Sequence, residues 1–111
     1  MKNDCVFCAI IDGEIPSEKV FENDDFVLIK DINPKAKIHL VALPKFHYAH
    51  IDMLSTGQAE TIGRILSTIS KLTDKLGLNN GYRVIINQGK DANQTVQHIH
   101  IHILGGETLA D

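Results

Sequence analysis

The chain predicts an α+β domain: a five-stranded antiparallel sheet with one long and one short helix. Three observations carry that expectation. His98-Ile99-His100-Ile101-His102 alternates with a strict period of two and continues through Ile103 and Leu104, which is the pattern of a β-strand. Within Thr56 to Leu76, apolar residues recur at steps of three and four, which is the pattern of a helix laid on a sheet. Strands cluster first, a helix follows, and further strands come last, an order that suits an antiparallel α+β arrangement.

Each element has a local reason. Asp4 can cap a short helix through Val6, Phe7, Ala9, Ile10 and Ile11, with Gly13 just past its end. Pro16 and Ser17 turn the chain. Lys19 to Glu22 and Phe26 to Asp31 read as strands joined at Asn23-Asp24-Asp25, whose short polar side chains suit a turn. Pro34 to Lys37 form a loop, and Ile38 to Leu43 a third strand that stops at Pro44. The long helix carries Ala59, Ile62, Ile65, Leu66, Ile69, Leu72 and Leu76 on one stripe, and Gly77 ends it. Tyr82 to Asn87 is the fourth strand, Gln88 to Gln97 a polar loop, and His98 to Leu104 the fifth strand.

Size and composition narrow the class. At 111 residues the chain reads as one domain, 1–111, long enough to bury a single core. Its net charge of −3 argues against a surface that coats nucleic acid. No apolar run approaches a membrane span, and Met1-Lys2-Asn3-Asp4 lacks a signal-peptide core, so the expectation is a cytoplasmic protein with neither nucleic acid nor membrane as partner. The two cysteines, Cys5 and Cys8, imply no disulfide framework.

Three imidazoles on one strand face invite chemistry, because histidine titrates near neutrality and serves as ligand, base or nucleophile. One use is a catalytic zinc held by the three rings with a water as fourth ligand, His39 standing beside them. Such a site wants a nearby acid, and the preceding loop offers only Asp91. The other use is a nucleophilic imidazole directed at phosphorus, with the amide-rich loop Gln88 to Gln97 supplying donors to the phosphoryl oxygens. Cys5-x-x-Cys8 is a separate matter. It reads as a redox pair, as two small buried hydrophobes, or as half of a structural zinc site with His47 the best-placed further ligand.

The run His98-Ile99-His100-Ile101-His102-Ile103-Leu104-Gly105-Gly106 resembles the signature of the histidine triad (HIT) superfamily, in its Hint branch. Phe7-Cys8-Ala9-Ile10-Ile11 with Glu14-Ile15-Pro16, Asp31-Ile32-Asn33-Pro34, His39 through Pro44-Lys45-Phe46-His47, Leu76-Gly77-Leu78 and Gly81-Tyr82-Arg83 fall in Hint-like order. The resemblance covers nearly the whole chain. It implies a HIT-like, dimeric fold in which two copies join their sheets, and a nucleotide hydrolase working through a covalent nucleotidyl-histidine.

By that resemblance His100 is the nucleophile, His102 contacts the phosphate and the leaving-group side, and His98 and His39 orient the rings. Asn87 and the segment Gln94, Thr95 and Val96 match positions that bind the α-phosphate. Asp31 matches the carboxylate on the ribose, and Phe7, Ile10, Ile29 and Ile32 match an apolar purine slot. The resemblance also implies a structural zinc held by Cys5, Cys8, His47 and His98, with no catalytic cofactor. A histidine at 102, where the nucleotidylyl-transferase branch carries glutamine, favours hydrolysis. Two departures stand out: the chain stops at Asp111, short of the tail that shapes leaving-group choice, and Asn93 stands where a glycine is common. Asn tolerates left-handed backbone angles. His50 matches no family position and reads as a surface or helix-start residue.

The expected reaction is hydrolysis of purine nucleoside 5′-monophosphoramidates by a homodimer. The alternatives are a dinucleoside polyphosphate hydrolase, as in the Fhit branch, and a zinc-stabilised nucleotide-binding module acting through a protein partner.

Overall fold

The computed structural model describes residues 5–111, so the expected Asp4 cap lies outside the described residues. The first helix, α1 (Val6–Ile11), has Cys5 at its N-cap, and the Cys5 Sγ accepts the backbone N–H of Cys8 at 3.3 Å. Then come β1 (Lys19–Glu22), β2 (Phe26–Lys30), β3 (Ile38–Pro44), α2 (Thr56–Ser70), α3 (Thr73–Leu76), β4 (Tyr82–Ile85) and β5 (Ile101–Gly105). Short 3-10 turns at Ile51–Met53 and Lys90–Ala92 complete the order. His50 is the N-cap of the first of these turns.

The five strands form one antiparallel sheet in the order β1-β2-β3-β5-β4. Alternation along the central strands divides two cores. Phe26, Leu28, Leu40, Ala42, Ile101 and Ile103 face one side, where Ile65 and Ile69 of α2 cover them. Val27, Ile29, Val41 and Leu43 face the other side and pack under Ile10, Phe7 and Ile11 of α1. Both sheet faces are therefore covered near the centre, which explains why β2 and β3 read as continuous apolar runs. The parity of β5 puts its isoleucines under α2 and its histidines on the α1 side.

Several boundaries differ from expectation. The long helix does not run unbroken to Leu76: it ends at Ser70, with Lys71 as its C-cap, and α3 follows as a separate turn. Hydroxyl side chains compete with the backbone there. The Thr68 Oγ1 donates to the Arg64 carbonyl at 2.8 Å and the Ser70 Oγ to the Ser67 carbonyl at 2.7 Å, while the Lys71 and Leu72 N–H groups bond three residues back. The apolar spacing survives the break because Leu76 still packs on the core, and Gly77 ends α3 at φ 77°.

The fifth strand begins at Ile101 rather than His98. Ladder pairing with β3 stops at Ala42↔Ile101, and beyond it lie Leu43 and Pro44, the latter without an N–H to offer. The backbone of 98–100 takes other partners: the Ile99 N–H bonds to the Tyr48 carbonyl at 2.7 Å. Likewise β4 ends at Ile85, opposite His102, which frees Asn87 from the ladder, and Asp31 lies one residue past β2.

Candidate functional site

The sheet register builds the site. Val41 pairs with His102 and His39 with Leu104, so His39 stands diagonally from His102 on the same face. Their rings meet, His39 Nε2 to His102 Nδ1 at 2.9 Å. The ring of His100 lies edge-on to those of His102 and Phe7, with centroids 5.0 and 4.8 Å away. Beside these groups opens a cavity of about 360 Å³. Phe7, Ile10, Ile29 and Ile32 supply its apolar wall, and Asp31, Asn87, Asn93, Thr95, His100 and His102 its polar one. A larger hollow of about 640 Å³ lies between Gly77–Arg83 and Gly105–Leu109, and no histidine or cysteine lines it.

Hydrogen-bond partners of fixed character assign the proton on each ring. The His98 carbonyl can only accept, so His100 donates to it from Nδ1, at 2.7 Å, and keeps a bare Nε2. The Pro44 carbonyl likewise takes the Nε2–H of His98 at 3.0 Å, leaving the His98 Nδ1 lone pair for the two thiols. The Lys35 backbone N–H donates to the His39 Nδ1 at 3.0 Å, so neutral His39 carries its proton on Nε2 and gives it to the His102 Nδ1. His102 then carries its own proton on Nε2. Two adjacent rings, His100 and His102, thus present opposite functions: a lone pair and an N–H.

Burial reinforces these states. Desolvation lowers the pKa of His39, partly opposed by the Asp31 carboxylate, with Lys35 lowering it further. His102 is lowered chiefly by burial and then by the neighbouring His100 and His39, and His98 chiefly by burial. All three are neutral at pH 7.

A second cluster lies on the far side of His98. The Cys8 Sγ stands 3.1 Å from the His47 Nδ1 and 3.6 Å from the His98 Nδ1, and the Cys5 Sγ stands 3.4 Å from the latter. Tetrahedral zinc with S and N ligands needs donor separations of about 3.4–3.8 Å. These donors are already near that spacing, and His98 aims an unprotonated nitrogen at the centre, so the set fits the ion. Asp31, His39 and His102 also converge, with donor atoms within 4.8 Å of one another, but they do not fit one. A metal on the His39 Nε2 would force a proton onto Nδ1, against the Lys35 N–H. Nor do the three triad histidines converge: among the described residues, neither metal-capable group contains all of them. The catalytic-zinc reading of the triad therefore fails on geometry.

Most of the residues marked in the sequence come together. Cys5, Cys8, His47 and His98 form the metal-capable cluster, and His39, His100 and His102 line up beside the cavity. Thr95 and Val96 line the cavity, whereas the Gln94 side chain does not. Its amide is committed to the loop, accepting the Gly89 N–H at 2.8 Å and donating to the carbonyls of Ala49 and Val96 at 2.8 and 3.1 Å. Asn93 adopts φ 60°, the left-handed angle expected of a glycine substitute. The cavity also recruits Pro16 and Ser17, read from the sequence as a turn, together with Ile15 and Lys30, none of which was expected to line it. The Lys35 amide was missed as well, and no side-chain pattern could reveal it, because its contribution is a backbone N–H.

Known proteins resemble this chain in sequence and fold. A family model described as "Scavenger mRNA decapping enzyme C-term binding" matches residues 4–109. Protein HitA of Neisseria gonorrhoeae is 36% identical over 103 residues, 93% of this chain and 96% of its own length. A HIT family hydrolase from Clostridium thermocellum superposes with a TM-score of 0.91 at 38% identity, covering 100% of this chain and 97% of that one. A Zn-bound histidine triad family protein from Mycobacterium smegmatis superposes with a TM-score of 0.80 at 33% identity, over 91% of this chain and 73% of that one. With its three alternating histidines set beside one cavity and this likeness along nearly all of its length, the chain belongs to the histidine triad superfamily.

Proposed function

We propose that the protein hydrolyses purine nucleoside 5′-monophosphoramidates through a covalent nucleotidyl-histidine. The observation that carries this reading is the opposed protonation of neighbouring rings, a bare nitrogen on His100 and an N–H on His102, at the wall of a nucleotide-sized cavity. The family likeness to a hydrolase supports it.

The His100 Nε2 attacks the α-phosphorus, and the P–N bond breaks as the leaving nitrogen takes up a proton from solvent and departs as the amine. Positive charge grows on the imidazole as the new bond forms, and the His98 carbonyl on its Nδ1–H stabilises that charge. His102 directs its Nε2–H at the leaving-group side, with His39 holding the ring in the donor tautomer. Asn87 and the backbone N–H groups of Thr95 and Val96 bind the phosphoryl oxygens, while Gln94 braces their loop. Asp31 takes the ribose hydroxyls, and Phe7, Ile10, Ile29 and Ile32 the purine. Water then cleaves the phospho-imidazole bond and frees the nucleoside monophosphate.

Cys5, Cys8, His47 and His98 would hold a structural zinc. The Zn-bound neighbour from M. smegmatis and the donor spacing support that reading. When bound, the ion ties α1 to the segment before β5 and takes no part in the bond-breaking. In the expected homodimer, β4 at the edge of the sheet offers an unpaired ladder to a second copy.

The test is steady-state hydrolysis of an adenosine 5′-phosphoramidate beside diadenosine triphosphate, with wild type and His100→Ala, with and without chelator. Rapid P–N cleavage that vanishes in the variant is expected, with chelator lowering it only on the roughly tenfold scale that loss of a structural support costs. Preference for the triphosphate points to the dinucleoside polyphosphate reading. Tight AMP binding with neither substrate cleaved would overturn the enzyme reading in favour of a binding module.

A further inference from the structure

Cys5 and Cys8 do not line the cavity, yet they flank Phe7, which does, and bond to His98, whose carbonyl holds His100. Both sit in the first turn of α1 and both are half-buried, and the neighbouring His47 is exposed, so small solutes reach the cluster. The two sulfurs lie within 4.8 Å of each other, and Cys5, as the N-cap, has extended backbone angles (φ −83°, ψ 117°) rather than helical ones, so a small backbone adjustment at the cap together with side-chain rotation closes the pair to a disulfide. Between them in sequence lies Phe7, whose ring stands edge-on to His98 and His100 with centroids 5.9 and 4.8 Å away. His98 shares its Nδ1 with the thiols while its carbonyl receives the Nδ1–H of His100.

We propose that Cys5 and Cys8 form an oxidisable pair, which a peroxide or a small-molecule disulfide converts reversibly to an intrachain disulfide, releasing the cluster's metal and loosening His100. The proposal rests on the structural-zinc reading and the nucleotide-site reading above. In the peroxide reaction one thiolate attacks a peroxide oxygen, giving a sulfenic acid and one hydroxide. The second thiolate attacks the sulfenic sulfur and expels another hydroxide as the S–S bond forms. Two electrons leave the sulfurs, and the peroxide ends as two waters. A neighbouring cysteine that resolves the sulfenic acid is what diverts oxidation from the irreversible sulfinic state.

The consequence follows from the donor count. Zinc binds thiolates, and disulfide sulfurs are poor ligands, so only two neutral imidazoles of the set remain. His98 loses the partner of its Nδ1, and α1 loses the tie that presses Phe7 against His100. In a reducing compartment the thiols are the resting state, and a dithiol reductant with zinc restores it.

The experiment treats the full, zinc-loaded protein with hydrogen peroxide and follows four readouts: titratable thiols, intact mass, zinc captured by a chromogenic chelator, and AMP affinity by calorimetry. The expected result is loss of both thiols, a mass lower by two hydrogens, and one zinc freed per disulfide. AMP affinity and hydrolysis should fall about tenfold or more, the usual scale when a supporting contact behind a site is lost. Reductant plus zinc should reverse all of it. The double variant Cys5→Ser, Cys8→Ser should keep its AMP affinity under peroxide and show no loss of two hydrogens, any gain of mass being oxygen added at exposed Met53. Oxidation that stops at a sulfinic acid on one cysteine, or a disulfide that leaves AMP affinity unchanged, overturns the proposal. A protein that never cleaves nucleotides refutes the enzyme reading alone, because thiols, mass, metal and AMP binding still report on the pair.

Discussion

In the proposed reaction, replacing His102 by alanine removes an N–H from the leaving-group side and leaves the attacking nitrogen of His100 in place. His102 lies on β5 between Val41 and Ile85 of the flanking strands, and its Nδ1 is occupied by His39 at 2.9 Å, so only its Nε2–H is available for chemistry. One preorganised donor at a developing charge is worth about 10²–10³ in kcat, or roughly 2.7–4 kcal/mol of barrier. That loss should depend on what departs. A primary alkylamine leaves poorly without a hydrogen bond or proton, so its phosphoramidate should show the full 10²–10³-fold drop. A p-nitrophenyl ester of AMP, whose phenolate needs little help, should lose less than about tenfold. Both kcat values come from steady-state assays of one folded preparation checked by circular dichroism. Equal losses on the two substrates would mean that His102 acts on phosphoryl oxygens shared by both. A loss confined to KM would mean that it only binds.

Other consequences are open to measurement. Burial holds the pKa of His39 and His102 below their ordinary 6.5, so the unfolded chain takes up protons in a range where the folded one does not. Stability should therefore be full above pH 6.5 and fall as pH drops from there through the folded values; urea unfolding at pH 7.5 and 5 reads it, and no change would contradict the burial. Gly106→Ala should cost about 2–4 kcal/mol, because φ is 80° and a new Cβ would stand 2.6 Å from the Ile38 Cγ1, with denaturant titration as the check. Gln94→Ala should cost about 1–3 kcal/mol by stranding the partners of its amide. It should also speed amide hydrogen exchange between residues 89 and 97 in the ligand-free protein, whereas a side chain that merely touched nucleotide would leave that exchange unchanged.

The parity of the histidine run was legible because side chains on an extended chain alternate faces whatever the ladder does. His98 and His100 keep the parity although the paired strand starts only at Ile101. The stripe on α2 was legible for a similar reason, but its break was not, since Thr68 and Ser70 bond to backbone carbonyls in ways that apolar spacing does not register. The meeting of Cys8 with His47 and His98, 39 and 90 residues away, lay beyond any spacing rule. There the family resemblance supplied the set and the coordinates its geometry. The ring tautomers were the least legible part, because each is assigned by a neighbouring carbonyl or amide that every residue type possesses.

The strand order has a consequence for how the protein comes into being. β5, the last strand in the chain, inserts between β3 and β4, which have no partner for those edges until it arrives. During synthesis the growing polypeptide therefore carries an open β3 edge until the segment 101–105 has been made and has emerged from the ribosome. A product terminated before residue 98 would lack all three triad histidines and also display a sticky sheet margin, making it a candidate for aggregation or degradation. The candidate site and a closed sheet centre thus arrive with the same segment of chain.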